Sequence, residues 1–127
     1  MTATRAFALH MLDRADALCA AVWAGDIVTA TREIAALTET ETQMLMAGLT
    51  SQVFSALERP WDGWLVDDRD LAERDPELAG WRMIAAFGNR DTDRLIALTE
   101  IVCAQGLIAV GVCIRFLIDT LRAAVGR

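Results

Sequence analysis

The side chains that most often carry acid–base or metal chemistry are scarce in this sequence. His10 is the only histidine, and Asp13 and Arg14 follow it at the spacing of one helical face. A metal would need carboxylates or cysteines for every other ligand, and no spacing typical of a histidine-based metal site occurs. We therefore interpret His10 as a solvated surface residue and predict no metal site.

The cysteines do not indicate a metal or redox site either. Cys19, Cys103 and Cys113 lie far apart in the sequence, without the two-residue spacing of a zinc ribbon or a dithiol pair. A free cysteine is among the residue types most often buried, and it persists as a thiol in a reducing compartment. We predict that all three act as small apolar core residues.

Motifs for covalent and phosphate chemistry are also missing. All 12 basic residues are arginine, so mechanisms that need a lysine, such as the Walker-type phosphate loop or a Schiff base, are excluded. The sequence contains no nucleophile elbow, no glycine-rich phosphate loop and no pair of acids spaced for glycoside chemistry. We predict no catalytic residue set and no cofactor, while an enzyme whose site is assembled only by the fold stays open.

The acids are concentrated between residues 58 and 77, which hold eight of them against three arginines. Asp68 and Asp70 begin a calcium-loop pattern, but the third acid, the glycine and the closing glutamate are not at their required offsets. The stretch is either a solvated connection between helices, about residues 59–75, or a docking face for a basic partner. The predicted partner-binding residues are Trp61, Asp62, Trp64, Asp67, Asp68 and Asp70.

Two tryptophans, Trp61 and Trp64, flank a turn dipeptide inside this acidic stretch. Such a pair is either a lid packed over the end of the helices or an exposed anchor for another protein. As an anchor, the pair would suit an arginine-rich peptide through cation–π contact. The sequence favours the lid and leaves the anchor open.

Apolar residues recur at helical spacing through most of the chain. They predict helices over about residues 6–24, 27–37, 38–59, 76–88, 91–105 and 107–125. Because no second strand-like segment could pair with the most apolar run, we predict an all-α fold. The expected architecture is one domain, residues 1–127, formed by a small five- to six-helix bundle of antiparallel helical hairpins.

Capping residues mark where several of these helices begin. Asp26 precedes the second helix, and Thr38 and Glu41 have the spacing of a capping box. Asp75 stands before Pro76, which at the first helical position costs no hydrogen bond. Residues 20–26 and 85–91 also resemble each other weakly, and both stretches predict a tight polar turn between two helices.

The last helix, residues 107–125, is apolar nearly all the way round for its first three turns. We predict that it is the central helix or lies at a subunit contact. Arg115, Asp119 and Arg122 form one charged line along it, either a solvated strip or a line that fixes register across a two-fold axis. The predicted oligomer interface consists of Ile108, Val112, Arg115, Phe116 and Asp119.

Composition bears on partner and compartment. The hydrophobic fraction is 54% and the mean hydropathy is +0.32. This is more apolar side chain than a chain of 127 residues readily buries. The net charge of −6 disfavours nucleic acid. The longest uncharged stretch near the end, 101–114, is shorter than the ~20 residues of a membrane-spanning helix, and charges interrupt the first twenty residues. We expect a cytoplasmic protein that binds neither nucleic acid nor membrane.

The apolar surplus and the missing catalytic motifs favour a protein–protein interaction module with a regulatory or adaptor role. We expect it to self-associate, because a neighbouring chain would cover the surplus. The alternative is a small helical bundle that binds an apolar ligand in a cavity between its helices. The side chains that would line this cavity are Trp23, Met44, Trp81 and Met83.

Overall fold

The computed structural model describes residues 2–57 and 75–126, which form six α-helices and no strand. The helices are α1 (Thr2–Trp23), α2 (Ile27–Ala35), α3 (Glu39–Leu57), α4 (Pro76–Gly88), α5 (Thr92–Gln105) and α6 (Leu107–Val125). The predicted all-α bundle is therefore confirmed. Within these ranges no helix combines the length and the apolar character that crossing a membrane would require.

The helix starts are those that the capping residues predict. The carboxylate of Asp26 accepts a hydrogen bond from the Thr29 amide at 3.1 Å. Thr38 and Glu41 form the reciprocal capping box, because each side chain accepts from the other residue's amide, at 3.1 and 2.9 Å. Asp75 accepts from two amides in the first turn of α4. Each bond satisfies an amide that has no partner inside its own helix.

Two helical hairpins, α1–α2 and α4–α5, turn in the same way. At the end of α1 the Asp26 amide donates to the Ala21 carbonyl, and at the end of α4 the Asp91 amide donates to the Ala86 carbonyl. The residue before each aspartate has a positive φ, +75° at Gly25 and +59° at Arg90. Each aspartate then caps the next helix at once. The weak sequence echo thus corresponds to one turn geometry used twice.

Helix α6 is the centre of the bundle and contacts all five other helices. Four of its residues, Cys113, Ile114, Leu117 and Ile118, have no exposed surface at all. The first turns of α6 are not covered by the rest of the described chain, and the alternative prediction of a subunit contact at α6 stays a prediction. Leu107 is 50% exposed and Ile108 is 85% exposed, because no element of the described structure covers that side.

Three buried threonines show how polar groups are accommodated in this core. Thr42, Thr50 and Thr99 are nearly or fully buried, and each hydroxyl donates to a backbone carbonyl one turn earlier, at 2.7 to 2.8 Å. A buried hydroxyl that is paired in this way carries little desolvation penalty. The three threonines therefore contribute to the packing of the core.

Acid should weaken the start of α3. The amide of Thr38 donates to Glu41 and holds the pKa of that carboxyl below its ordinary value of 4.5. Because the folded pKa is the lower one, the stability that Glu41 contributes is complete above about pH 4.5 and is lost as pH falls through the folded value. We expect the unfolding temperature of Glu41→Gln to fall less steeply below that pH than the temperature of the unaltered chain.

Thermal melts monitored by circular dichroism across this pH range would measure the difference. Glu100→Gln, at an exposed carboxylate on α5, is the matched control and should follow the unaltered chain. If the unfolding temperatures of Glu41→Gln and Glu100→Gln fall equally as the pH is lowered, the capping box does not cause the acid sensitivity.

Candidate functional site

The groups with acid–base potential that the structure describes do not form a cluster. Residues 2–57 and 75–126 hold no cluster of three or more histidine, cysteine, aspartate or glutamate side chains able to bind a metal. His10 lies on the surface of α1, where its Nε2 is 3.4 Å from Oε2 of Glu41 on α3. This contact joins two helices at a solvated edge, in keeping with the surface role predicted for His10.

The cysteines sit in surroundings that suppress thiol chemistry. Cys19 and Cys113 are buried, Cys103 is half-buried, and all three are free. Burial raises the pKa of Cys113 to about 12, and partial burial also raises the pKa of Cys103. Since the thiolate is the nucleophile, neither side chain is activated. The predicted core role is confirmed for Cys19 and Cys113.

The residues predicted to bind a partner through the acidic connection, Trp61, Asp62, Trp64, Asp67, Asp68 and Asp70, lie outside the described residues. The choice between lid and anchor for the two tryptophans stays a prediction. The structure does describe both ends of that connection, at Leu57 and Asp75.

Four of the five residues predicted as an oligomer interface are exposed on the outer side of α6, and the fifth is Phe116. Ile108 and Val112 are 85% and 38% exposed, and Arg115 and Asp119 form an exposed ion pair with 3.7 Å between Nε and Oδ2. Phe116 is half-buried and meets Trp81 of α4 edge-on, with ring centroids 5.3 Å apart. Phe116 is thus engaged in packing within the chain.

Arg122, the third charged residue of α6, does not extend the charged line formed by Arg115 and Asp119. The guanidinium of Arg122 donates to the backbone carbonyl of Trp23, at 3.5 Å. Trp23 is the last residue of α1, where carbonyls lack partners within the helix and a cation is favourable. Arg122 therefore joins the ends of α6 and α1.

An apolar cleft of about 330 Å³ runs between α2 and α6. We call it the α2–α6 cleft; it is lined by Ile27, Thr31, Leu107, Ile108, Val112 and Arg115, among others. Ile27, the first residue of α2, is 64% exposed. The inward positions of this short helix are Ala30 and Ile34, so Ile27 is free to face the cleft.

A second cleft, of about 770 Å³, separates α4 from the outer end of α6. We call it the α4–α6 cleft; it is lined by Leu57, Glu77, Trp81, Val112, Phe116 and Asp119, among others. Trp81, which the ligand-binding alternative places in a cavity between helices, is 40% exposed. Gly80 has no side chain and lets the Phe116 ring lie against α4, so Phe116 occupies the inner position and Trp81 the outer.

One sequence signal could have placed Trp81 on the surface. Glu77 stands four residues before it, so the two side chains share a helical face, and Glu77 is an exposed acid. Met83 of the same helix is fully buried. Leu78, five residues earlier, is also buried. Because residues five apart do not lie on one narrow stripe of a helix, the buried face of α4 is wider than a single apolar stripe.

Val112 and Arg115 line both clefts. The outer side of α6 is therefore a ridge with a groove on each flank, the α2–α6 cleft on one side and the α4–α6 cleft on the other. Ridges that fit into grooves are the general means by which helices pack on other helices. The exposed part of α6 thus offers the shape that a further helix requires.

The residues proposed to line an internal ligand cavity do not form one together. Trp23, Met44 and Trp81 are between 39% and 43% exposed, while Met83 is fully buried in the core. Of the four, only Trp81 lines one of the two clefts described above.

The chain matches no family model, no curated protein and no solved structure. The surface of α6 and its two flanking clefts are accordingly the features from which we argue its function.

Proposed function

We propose that this chain is a protein–protein interaction module with a regulatory or adaptor role, and that it self-associates through the α2–α6 cleft. The association face is defined as Ile27, Leu107, Ile108 and Val112. The observation that carries the proposal is the exposure of Ile108, whose side chain is 85% accessible in the middle of this apolar group. Contiguous apolar surface of this kind marks interaction sites more often than scattered single residues do.

The energetic scale agrees with association rather than with incidental exposure. Complete burial of one such aliphatic side chain contributes about 1.5–3 kcal/mol. The four side chains are 38–85% exposed, so only that part remains to be buried; summed over both copies, its burial is of the order of the ~4–15 kcal/mol that association costs in lost freedom. A single exposed isoleucine elsewhere on the surface would not do so.

The shape and the charge of α6 suit a second copy of the same chain. In a two-fold interface, each copy places the same ridge against the other's groove. Arg115 and Asp119, at the edge of the association face, carry opposite charges that such an arrangement can pair reciprocally. Exposed pairs of this type contribute little energy but help to set the register.

Substitution of Ile108 by glutamate tests the proposal. We expect the unaltered chain to form a dimer or a larger species at micromolar concentration, and Ile108→Glu to be monomeric, because a buried carboxylate without a partner is strongly disfavoured. Multi-angle light scattering over a concentration series would measure both. Ile96→Glu is the matched control, since Ile96 is 49% exposed on α5 and outside both clefts.

A monomeric unaltered chain over the whole concentration series would contradict self-association. An equal effect of the Ile96 and Ile108 substitutions would contradict the assignment of the face. Circular dichroism of the variants would show whether each keeps its helical content.

The α4–α6 cleft gives some support to the alternative, an apolar-ligand site. Its volume of about 770 Å³ lies within the range of small-molecule pockets. The cleft is only partly enclosed, however, whereas ligand sites bury most of the ligand's surface. A groove that remains open along one side is better suited to a peptide or a helix.

A further inference from the structure

We propose that the α4–α6 cleft binds a basic amphipathic segment of a partner protein, one that is apolar on one face and rich in arginine or lysine on the other. This inference rests on the proposed interaction function and names a partner for it. The cleft shares Val112 with the association face, but Trp81 lines only the α4–α6 cleft and Ile108 only the α2–α6 cleft, so substitutions at these two residues test the two surfaces separately.

The length and floor of the cleft fit such a segment. Its lining residues on α6 extend from Val112 to Ala124, which at 1.5 Å per residue spans about 18 Å. That distance corresponds to about three turns of a bound helix. Trp81 and Phe116, whose rings contact each other, are the aromatic residues in the lining of the cleft. Aromatic side chains are common anchors of interfaces.

The charge of the cleft selects a basic partner. Glu77 and Asp119 both line it, and Arg115 is the one basic residue among its lining side chains. Arg115 is already engaged by Asp119 at 3.7 Å. The pair leaves Glu77 as the one uncompensated charge in the lining, and a cationic side chain of the partner can pair with it.

The exposed ring of Trp81 adds a specific contact. A guanidinium or ammonium group placed over a tryptophan face is attracted by the ring, most strongly where water is partly excluded. Trp81 is 40% exposed and stands one helical turn from Glu77. An arginine of the partner can therefore contact the ring and a carboxylate together, while its neighbouring apolar residues cover Phe116.

The test uses a labelled peptide of leucine, alanine and arginine, about 15 residues long so that it can form a helix on its own. Its leucines lie on one face and its arginines on the other; the control peptide has glutamate in place of each arginine. Fluorescence anisotropy with the full chain should show saturable binding of the basic peptide, weakened by salt, and no binding of the acidic one. Equal binding of the two peptides, or no binding of either, would overturn the proposal.

Variants then assign the binding to the cleft. Trp81→Ala should weaken it about tenfold, the loss of ~1.4 kcal/mol expected for a partly desolvated cation–π contact. Trp23→Ala is the matched control, because Trp23 is 39% exposed and does not line the cleft. Asp119→Lys changes only an exposed side chain and should also weaken binding, which protects the test if Trp81→Ala folds poorly.

Equal losses for Trp23→Ala and Trp81→Ala, or no loss for Asp119→Lys, would show that the peptide does not bind in this cleft. A cleft already filled by residues 58–74 of the same chain, or by a second copy, would likewise make binding insensitive to both cleft substitutions and would refute the proposal. Ile108→Glu should still bind the peptide while it loses self-association, so failure of either inference is distinguishable from failure of the other.

Discussion

Substitution of Leu117 by alanine is expected to lower the free energy of unfolding by about 2–5 kcal/mol, the largest effect anticipated for a single site in this chain. Leu117 has no exposed surface and lies in α6, the helix that contacts all five others. Its truncation would leave a cavity where several helices meet, so no single neighbour can move to fill it. For a domain whose total stability is ~5–15 kcal/mol, such a loss is a large part of the whole.

Urea unfolding at equilibrium would measure this loss. Leu12→Ala provides the control, because the same atoms are removed from a side chain that is 51% exposed on α1. We expect the control to change stability by less than ~1 kcal/mol. Similar losses at the two sites would contradict the central position of α6.

The same substitution should have opposite effects at two glycines. In Gly80→Ala the new Cβ would lie 2.5 Å from Cδ2 of Phe116, so the ring or the helix must shift. In Gly48→Ala the new Cβ meets no atom within 4 Å. Both changes gain the ~1 kcal/mol by which alanine exceeds glycine in a helix, but only Gly80→Ala also incurs the ~1–3 kcal/mol of overpacking.

We therefore expect Gly48→Ala to raise the unfolding temperature and Gly80→Ala to lower it. Differential scanning calorimetry of the two variants beside the unaltered chain would decide the matter. If Gly80→Ala proves as stabilising as Gly48→Ala, the ring of Phe116 does not depend on the missing side chain for its position. The outward displacement of Trp81 would then need another cause.

Much of the secondary structure was predictable because it is determined locally. A cap needs only a side-chain oxygen two or three residues from an unpaired amide, so Asp26, Asp75 and the pair Thr38–Glu41 identified their helix starts directly. The turn at Arg90 was predicted as well, although it uses an arginine with positive φ where the earlier hairpin uses glycine. In each case the interaction lies within one turn of the chain.

The candidate surfaces were less predictable because the same apolar residue can lie on the core side or the solvent side. Ile108 and Ile114 both belong to the apolar run of α6, yet one is 85% exposed and the other fully buried. Trp81 and Phe116 both fit an inward position at the α4–α6 contact, and only their mutual packing places Phe116 inside. Periodicity gives the preferred side of a helix, but not how many of its sides the neighbours cover.

The sequence by itself determined the helices, their caps, the acidic bias and the absence of any lysine-dependent chemistry, since these follow from residue types and short spacings. Only the tertiary structure decided which apolar side chains remain uncovered on α6 and which grooves flank it. The physical reason is that burial depends on how six helices share one small core. The space left between neighbouring helices, such as that which Gly80 provides for Phe116, is set by residues far apart in the chain.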